Sequence, residues 1–506
     1  MRYQIPNEST VTRAKGKNMK EKIYRNTLIC LLTLPCMASY SQNVGIGTNT
    51  PTERLEIAGN LKADTLKPTA MILAPNAGPG KILTSDDVGN ATWENSSYAP
   101  PPEENIGYGV WGDCANNGNI SAYNPVADED GNLNDYFGHS VSISGNFAIV
   151  GAYGDEGAYG EFQGSASFYQ FDGSAWVFLE KIVDADGAAN DYFGNSVTIS
   201  SNYAIVGSLY DDGPAGLNQG SISIYQFDGL NWILMQKITD DDGAAYDYFG
   251  SSIVLYDDYA IVGSLYDDGP AGLNQGSVSI YHFDGSTWVF LEKIFDPDGA
   301  TGDLMGGSIS ISGNFFIIGS SNDDGAAGLN QGSASIYHFD GSDWSFMQKL
   351  TDATGDVNDY FGNNVAISGN YTIVGSAYDN IGSNADQGSV SIYHFDGNSW
   401  FLLQKISDVN GAAEDFFGIS VSISGNYIIV GASYNNVSPN LDQGSAHIFF
   451  RLGMIWQKLQ DVFDPSGTGS DFFSGATALD SSTKRFMLGA IGFGNNVGKV
   501  VFGKIN

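Results

Sequence analysis

The chain has 506 residues, with 65 glycines, 13% aromatic residues, and 57 acidic against 22 basic side chains, a formal net charge of -35. A charge of this sign and size excludes nucleic acid and anionic membrane surfaces as partners, and it favours cations or basic surfaces. The glycine and aromatic content suits many short strands joined by tight turns.

The N-terminal stretch has the pattern of an export signal. Basic residues from Lys20 to Arg25 precede the apolar run TLICLLTLPCMA and then small residues, so residues 1–41 are predicted to be a signal peptide whose true start is Met19. The run is too short to span a bilayer, and no transmembrane span is predicted. We expect an exported protein at the extracellular or cell-envelope surface, with the periplasm as the open alternative. Removal of the signal leaves Cys114, whose role the sequence does not define.

Residues 42–97 differ in texture from the rest of the chain. The stretches NVGIGTNTPTERLEIAGNLKAD and GPGKILTSDDVGNATW resemble the segment that begins many cell-envelope and tail-fibre-like proteins. The resemblance implies a β-rich, stalk-like segment through which the protein would form oligomers. The run YAPPPEEN opens residues 98–115, which are predicted to be a stiff, proline-rich linker.

A repeat of 56 residues organises the chain from residue 116 onward. The phenylalanine of a Tyr-Phe-Gly motif recurs at this step, as Phe137, Phe193, Phe249, Phe361, Phe417 and Phe473, with Met305 in the vacant place. The same step links Trp176, Trp232, Trp288, Trp344, Trp400 and Trp456. It also links Gln163, Gln219, Gln275, Gln331, Gln387 and Gln443.

Each unit contains four β-rich runs separated by turn signals, which in the second unit are FGNSVTIS, SNYAIVGS, GSISIYQFDG and NWILMQKI. Such a sheet cannot bury both faces alone, and copies packed around an axis form a β-propeller. The last unit stops after three runs, and the piece Asn116 to Val126 lies one repeat before a fourth run. We therefore predict an all-β, seven-bladed β-propeller over residues 116–506, closed by an N-terminal strand that leaves no free sheet edge.

The repeated motifs FGxSVxISGNxxIVG and QGSxxIYxFDGxxW resemble those of the FG-GAP family, in the variant common in secreted bacterial proteins. The resemblance runs from about Asn116 to the C-terminus and implies the seven-bladed propeller of integrin α chains. It does not carry over the calcium cage of integrin repeats, which lies between strands one and two. That place here reads SISGNF, from Ser142 to Phe147, without acidic ligands.

Two acidic loops recur in each unit and are predicted to lie on one face, because strands of a meander alternate in direction. The crossover between units has the pattern D-x-[DNTS]-G-x-x-x-D, and closely spaced carboxylates with a turn-making glycine suit calcium. The alternative is that its aspartates cap the turn through backbone amides. The richest candidate calcium sets are Asp184, Asp186 and Asp191; Asp240, Asp242 and Asp247; and Asp296, Asp298 and Asp303.

The second acidic loop follows strand two and varies more between units, which suits either a recognition surface or neutral drift. Its letters SLYDDGPAGLNQGS occur twice, from Ser208 and from Ser264. The candidate ligand-face residues on these loops are Asp211, Asp212, Asp267, Asp268, Asp323 and Asp324.

Catalytic signatures are not found in the sequence. His282, His338 and His394 share one repeat position with glutamine and phenylalanine, and His139 and His447 stand alone. No Ser/His/Asp set, HExxH motif or phosphate loop is apparent, and the repeated tryptophans are predicted to pack the blades. The chain is therefore predicted not to be an enzyme.

The sequence leaves three functions open. The first is a secreted or cell-surface binding or adhesion module that recognises a protein or glycan through the acidic face, with calcium as the candidate cofactor. The second is a structural envelope or fibre-head component without a small ligand. The third, least favoured, is a glycan-active enzyme.

Overall fold

The computed structural model describes residues 120–128, 130–158, 160–326 and 328–506, together with four short strands nearer the N-terminus. The chain divides into two units, Met1–Glu104 and Asn105–Asn506. The predicted signal peptide, most of the predicted stalk, the linker and Cys114 lie outside the described residues.

The N-terminal unit contributes two small sheets. Strands β1 (Val44–Ile46) and β2 (Leu55–Ile57) pair in parallel. Strands β3 (Lys81–Ser85) and β4 (Ala91–Asn95) form an antiparallel pair.

The second unit is a propeller of seven four-stranded antiparallel sheets, as predicted. Its first three blades are β6 (Ser140–Ser144), β7 (Phe147–Ala152), β8 (Ser165–Phe171) and β9 (Trp176–Ile182); β10 (Phe193–Ser200), β11 (Tyr203–Ser208), β12 (Ser221–Phe227) and β13 (Trp232–Ile238); and β14 (Phe249–Tyr256), β15 (Tyr259–Ser264), β16 (Ser277–Phe283) and β17 (Trp288–Ile294). The next two are β18 (Met305–Ser312), β19 (Phe315–Ser320), β20 (Ser333–Phe339) and β21 (Trp344–Leu350); and β22 (Val365–Ser368), β23 (Tyr371–Ser376), β24 (Ser389–Phe395) and β25 (Trp400–Ile406).

The sixth blade is β26 (Ser420–Ser424), β27 (Tyr427–Ala432), β28 (Ser445–Leu452) and β29 (Ile455–Val462). The seventh contains β30 (Phe473–Asp480), β31 (Arg485–Ala490) and β32 (Lys499–Ile505), with a short helical turn, α1 (Phe493–Asn496), between its second and third strands.

The N-terminal strand β5 (Ile120–Ala127) closes the ring as the outer strand of the seventh blade. It pairs antiparallel with β32, and Val126 lies opposite Val500. The first strand of each blade lies beside the first strand of the next, including the seventh and the first. The predicted closure is thus confirmed.

The hydrophobic core lies between blades rather than within one sheet. Between the second and third blades, Ile222 and Ile224 of one sheet pack against Phe249, Val262 and Trp288 of the next. A blade therefore needs apolar or small residues on both faces of its inner strands, and the serines that alternate with isoleucine in β12 are buried as well. This two-sided burial explains why inner strands show a weaker alternation than a half-exposed strand would.

Glycines set the closest approach between neighbouring blades. A Cβ on Gly207 would lie 2.5 Å from the carbonyl oxygen of Gly250 in the next blade. Gly250 itself has φ +90°, a conformation that side chains other than glycine rarely adopt. The glycines of the IVG and FG motifs are therefore needed for the blades to meet near the axis.

The repeated tryptophans begin the outer strands and are packed between blades, as predicted. Trp232 is buried and stacks on Phe168 of the preceding blade, with ring centroids 4.5 Å apart. Side chains of several outer strands are also hydrogen-bonded to the next outer strand. Gln236 donates to the carbonyl of Trp288 at 3.0 Å, and its oxygen accepts the Trp288 amide at 2.9 Å.

Candidate ligand-binding face

The crossover loop and the loop after the second strand emerge at the same end of each blade, and a lysine of the outer strand joins them. In the second blade the Lys237 ammonium lies 2.8 Å from carboxylate oxygens of both Asp184 and Asp186 on the crossover. It lies 2.8 Å from Asp211 on the other loop. One half-buried ammonium therefore holds together the two acidic loops predicted from the sequence.

This lysine cluster recurs around the ring. Three aspartates surround the lysine in the first four blades, and two surround it in the fifth, where Thr354 replaces the exposed aspartate. The other members are Lys181 with Asp128, Asp130 and Asp155; Lys293 with Asp240, Asp242 and Asp267; Lys349 with Asp296, Asp298 and Asp323; and Lys405 with Asp352 and Asp379.

Burial and the excess of carboxylates shift the protonation of each cluster. Burial raises the pKa of Asp184 to about 6, and the neighbouring Asp186 adds to this effect. The hydrogen bond with Asp184 and the contact with Lys237 lower the pKa of Asp186, whose side chain is 75% exposed. Burial by itself would lower the pKa of Lys237, but its three aspartates more than offset this and raise it. In the first four blades the lysine is therefore held among carboxylates, one of which has a raised pKa; in the fifth, burial would raise the pKa of Asp352, but the contacts with Lys405 and Thr354 lower it.

The aspartate that closes each crossover has a different role. Asp191 accepts the backbone N–H of Ala188 at 2.5 Å, and Asp247 accepts that of Ala244 at the same distance. Asp303 caps its own turn in the same way through Ala300. Burial raises the pKa of Asp191 and Asp247 to about 6. In each candidate calcium set, two aspartates therefore form ion pairs with the lysine, and the third accepts a hydrogen bond from a backbone N–H.

The carboxylates of these sets are already compensated by protein groups. An ammonium occupies the place between the acidic loops where a cation would sit, and among the described residues no group of three or more His, Cys, Asp or Glu is arranged to hold a metal ion. The arrangement does not suit calcium while the lysine is in place. Calcium binding on the crossovers stays a prediction from the sequence.

The candidate ligand-face residues also fall into two groups. Asp211 is buried and accepts the hydroxyl of Ser221 at 2.5 Å, and Asp267 and Asp323 hold Ser277 and Ser333 in the same way. Asp212, Asp268 and Asp324 are exposed and accept the backbone N–H of Asn218, Asn274 and Asn330. The second group therefore presents carboxylates at the surface of the face.

The repeated glutamine links the two loops through backbone groups. Gln219 donates to the carbonyl of Asp240 at 2.6 Å, and its side-chain oxygen accepts the N–H of Ala215 at 3.1 Å. It thus ties the loop after strand two to the following crossover. This contact explains why the glutamine recurs at the same step as the acidic residues.

A chain of partly exposed aromatic side chains, the aromatic belt, lies at the ends of the two inner strands on the same face. In the second and third blades, successive ring centroids from Tyr192 through Tyr210 and Tyr248 to Tyr266 are 4.6, 4.9 and 4.9 Å apart. The belt is interrupted in the fourth blade, where Leu304 and Asn322 replace the rings. Its members are Tyr136, Tyr153, Tyr192, Tyr210, Tyr248, Tyr266, Tyr360, Tyr378, Phe416, Tyr434 and Phe472.

The belt and the lysines were not predicted from the sequence, although both recur in it. The tyrosine precedes the motif phenylalanine, and the lysine ends the outer strand, at the same 56-residue step. The residues that directly precede the motif phenylalanine, such as Tyr192, have φ between 51° and 58°. This backbone conformation is unfavourable for a bulky side chain by about 1–2 kcal/mol.

The last two blades depart from the cluster pattern. In the seventh, Pro125 of the closing strand lies opposite Val501, at the place of the lysine, and Lys499 of the third strand pairs with Asp464 instead. In the sixth, Asp461 takes the place of the lysine, and His447 and Lys458 surround it. His447, which was predicted to stand alone, therefore lies in a cluster with Asp461 and Lys458.

The propeller and its loop face define a repeat protein of the FG-GAP class. The FG-GAP repeat profile matches residues 126–169, 176–225, 232–281, 288–337, 344–393 and 400–449, more than half of the chain. The chain therefore belongs to the FG-GAP repeat family, as its motifs suggested.

Other comparisons are more distant. The periplasmic gluconolactonase PpgL of Pseudomonas aeruginosa is 14% identical, with a TM-score of 0.43, over 65% of this chain and 86% of that one. A functionally unknown protein from Desulfotomaculum acetoxidans is 14% identical, with a TM-score of 0.41, over 69% of this chain and 90% of that one. The search of curated proteins finds no match. Within the described residues, none of the helices has the length and apolarity that a membrane crossing requires.

Proposed function

We propose that this protein is an exported binding or adhesion module that recognises a protein or glycan through the acidic loop face of its propeller. The observation that carries the proposal is the aromatic belt beside exposed carboxylates. Tyrosines such as Tyr210 and Tyr248 combine a large contact area with a hydroxyl, a composition enriched in binding sites. Surface carboxylates such as Asp212 and Asp268 supply hydrogen-bond acceptors for sugar hydroxyls or basic side chains.

The opposite face is built differently, which supports the choice of face. Its turns between the third and fourth strands are closed locally, since Asp172 accepts the amides of Ser174 and Ala175 at 2.7 and 2.9 Å. Arginines also lie there, with Arg485 over the ring of Phe171 and Arg451 over that of Tyr371. The two faces therefore present different side chains, arginines stacked on rings on one and tyrosines beside exposed carboxylates on the other.

A structural role in an envelope or fibre is the second candidate, and the outer strands favour it. Pairs of apolar residues are exposed there, as Ile233 with Leu234 and as Phe401 with Leu402. In the third blade Val289, Phe290 and Leu291 are all exposed. Contiguous exposed apolar residues mark surfaces that pack against other proteins.

A binding experiment separates the two candidates. The purified protein is tested against immobilised basic peptides and neutral and acidic glycans, beside the double variant Y210A/Y248A. We expect at least one class to bind, and the variant to weaken binding tenfold or more, since interface aromatics contribute over about 1.4 kcal/mol. The matched control is F290A/L291A on an outer strand, which leaves the belt intact.

The same variants give the opposite result for a structural component. The structural candidate replaces the binding module if F290A/L291A breaks up an oligomer of the unmodified protein and if none of the three proteins binds the peptides or glycans. Oligomeric state is measured by light scattering for all three proteins.

Calcium dependence is proposed on the carboxylate pattern of the crossovers and is tested separately. Thermal unfolding is compared in EDTA and across a calcium titration to millimolar concentration, with magnesium and ionic-strength controls. A ligand at about a hundredfold its dissociation constant adds about 2.7 kcal/mol of stability. A rise confined to calcium supports calcium as the cofactor; a response equal to that of magnesium or salt removes it.

A further inference from the structure

The sixth blade differs from the first five at four positions that lie in one hydrogen-bonded cluster. Asn435 replaces an aspartate of those blades, and His447 replaces a serine. Lys458 replaces a leucine or phenylalanine, and Asp461 replaces the lysine. The replaced residues are connected, because Asp461 pairs with both His447 and Lys458, and Asn435 reaches His447 through the hydroxyl of Ser445. This cluster is not repeated elsewhere in the ring.

The four groups and Ser445 form a directed chain of hydrogen bonds. His447 Nδ1 lies 2.7 Å from Asp461 Oδ1, and His447 Nε2 lies 3.1 Å from the Ser445 hydroxyl. An ionised carboxylate only accepts, so Nδ1 carries the proton in the neutral ring and Nε2 is the acceptor. Ser445 then donates to Nε2, while its oxygen accepts from Asn435 Nδ2 at 2.8 Å.

The charges around the imidazole suit a base. Burial would raise the pKa of Asp461, but His447 and Lys458 lower it to about 2, so this carboxylate stays ionised. Lys458 lies 2.9 Å from Asp461 and 3.4 Å from Asp408. Asp408 also faces His447 Nε2 at 3.8 Å, and the Asp415 carboxylate adds to the negative surroundings. Carboxylates therefore face both nitrogens of the imidazole, Asp461 at Nδ1 and Asp408 at Nε2.

The equivalent serines in the first five blades have no imidazole beside them, because serine stands at the place of His447. Ser221 and Ser389 donate to Asp211 and Asp379 at 2.5 and 2.6 Å, and these aspartates are held by lysine. The sixth blade has Asn435, a hydrogen-bond donor, in place of this aspartate. It also has His447 in place of the serine that stands two residues after the equivalent of Ser445 in the first five blades. The serine at this position therefore donates to a carboxylate in the second and fifth blades and contacts an imidazole in the sixth.

A cavity gives small molecules access to this histidine. It measures about 190 Å³ and lies between the fifth and sixth blades. Ile406, Phe417, Phe449 and Trp456 form an apolar wall, and His447 and Lys458 line its polar part. Ser445, which is 3% exposed, lies one hydrogen bond beyond His447. The apolar wall suits a short acyl chain beside His447, and Ser445 lies behind the histidine rather than in the lining.

We propose that Ser445 is an activated nucleophile that takes the acyl group of small carboxylic esters, with His447 as its base and Asp461 as the positioning residue. The Ser445 oxygen attacks the ester carbonyl while its proton passes to His447 Nε2. The carbon–oxygen bond to the alcohol breaks, and His447 returns the proton to the leaving alkoxide. Water, deprotonated by His447, then releases the acid and restores Ser445, so one ester and one water give one acid and one alcohol.

Labelling with a fluorophosphonate probe tests the nucleophile directly. The whole protein is treated with the probe, digested, and mapped by mass spectrometry. Ser165, Ser221, Ser277, Ser333 and Ser389 occupy the equivalent place in other blades and are internal controls. We expect the adduct on Ser445 at a rate at least a hundredfold above theirs, because a positioned base contributes about 10²–10⁴-fold.

Variants and turnover distinguish a reactive site from a purely structural one. H447S restores the residue of the other blades, and D461N keeps the size of the side chain. We expect both to reduce labelling and p-nitrophenyl acetate hydrolysis about a hundredfold or more, and the pH dependence of labelling to disappear in H447S. Thermal unfolding verifies that the variants fold. Labelling of Ser445 no faster than that of the five control serines, in the folded wild-type protein, would overturn the proposal.

Discussion

Lys293 has the most enclosed ammonium among the lysines that join the acidic loops of the first five blades, with 7% of its side chain exposed. It lies 2.7 Å from both Asp240 and Asp242 and 3.0 Å from Asp267. Replacing it removes the only ammonium in this cluster, among the described residues, while two buried carboxylates remain. Leaving a buried charge without its partner costs about 3–5 kcal/mol.

At the scale of the residue we therefore expect K293M to lower the free energy of unfolding by about 3–5 kcal/mol. Denaturant unfolding followed by tryptophan fluorescence measures the change. K504M is the matched control, since Lys504 is exposed on β32 and its removal should change stability by no more than about 0.5 kcal/mol. The triple variant K293M/D240N/D267N should recover part of the loss, and equal losses in K293M and K504M would contradict this reading.

The closing strand β5 is the element on which the ring depends. It contributes the fourth strand of the seventh blade through pairs such as Val126 with Val500 and Ala127 with Lys499. Without it, the edge of β32 would expose unpaired backbone groups, and free edges pair with other chains. In the seventh blade proline stands at the lysine position of β5, and Lys499 on β32 pairs with Asp464.

At the scale of the element, a chain that begins at residue 128 should unfold at a lower temperature and self-associate. A chain that begins at residue 101 retains β5 and serves as the control. Thermal unfolding and size-exclusion chromatography with light scattering measure both effects. The expectation fails if the two chains have the same melting temperature and the same mass.

Charge dominates the behaviour of the whole molecule. Burial raises the pKa of crossover aspartates in several blades from 3.8 to about 6, as for Asp128, Asp184 and Asp296, and to about 7 for Asp240. A raised native pKa means that the folded protein binds more protons than the unfolded chain between pH 4 and 7. Stability from these groups is therefore present at about pH 4 and is lost as the pH rises through 6 to 7.

At the scale of the molecule, the melting temperature should rise by several degrees when the pH falls from about 8 to about 5. Below about pH 4 it should fall, because Asp186 and Asp461 have lowered pKa values and lose their charge. Repeating the series at about 1 M salt screens the repulsion of surface charges and leaves the buried contribution. A melting temperature that decreases steadily from pH 8 downward would contradict the assignment of protonated crossover aspartates.

The amino-acid sequence by itself determined the architecture of this protein. A strict 56-residue repeat with four strand-like runs required copies to bury one another, and a missing last strand with a spare first strand required closure. The alternation of strand direction also determined that both acidic loops share a face. These properties follow from period and order along the chain, which the sequence displays directly.

Only the tertiary structure decided which side chains meet. Lys237 and Asp184 are 53 residues apart and join only when neighbouring sheets stack, so the carboxylate spacing that predicted calcium did not reveal the ammonium beside it. Ser445, His447 and Asp461 are brought together by the register of β28 and β29, in which His447 lies opposite Asp461. Such contacts depend on distances of 2–4 Å between side chains on different strands, and a period along the sequence does not specify them.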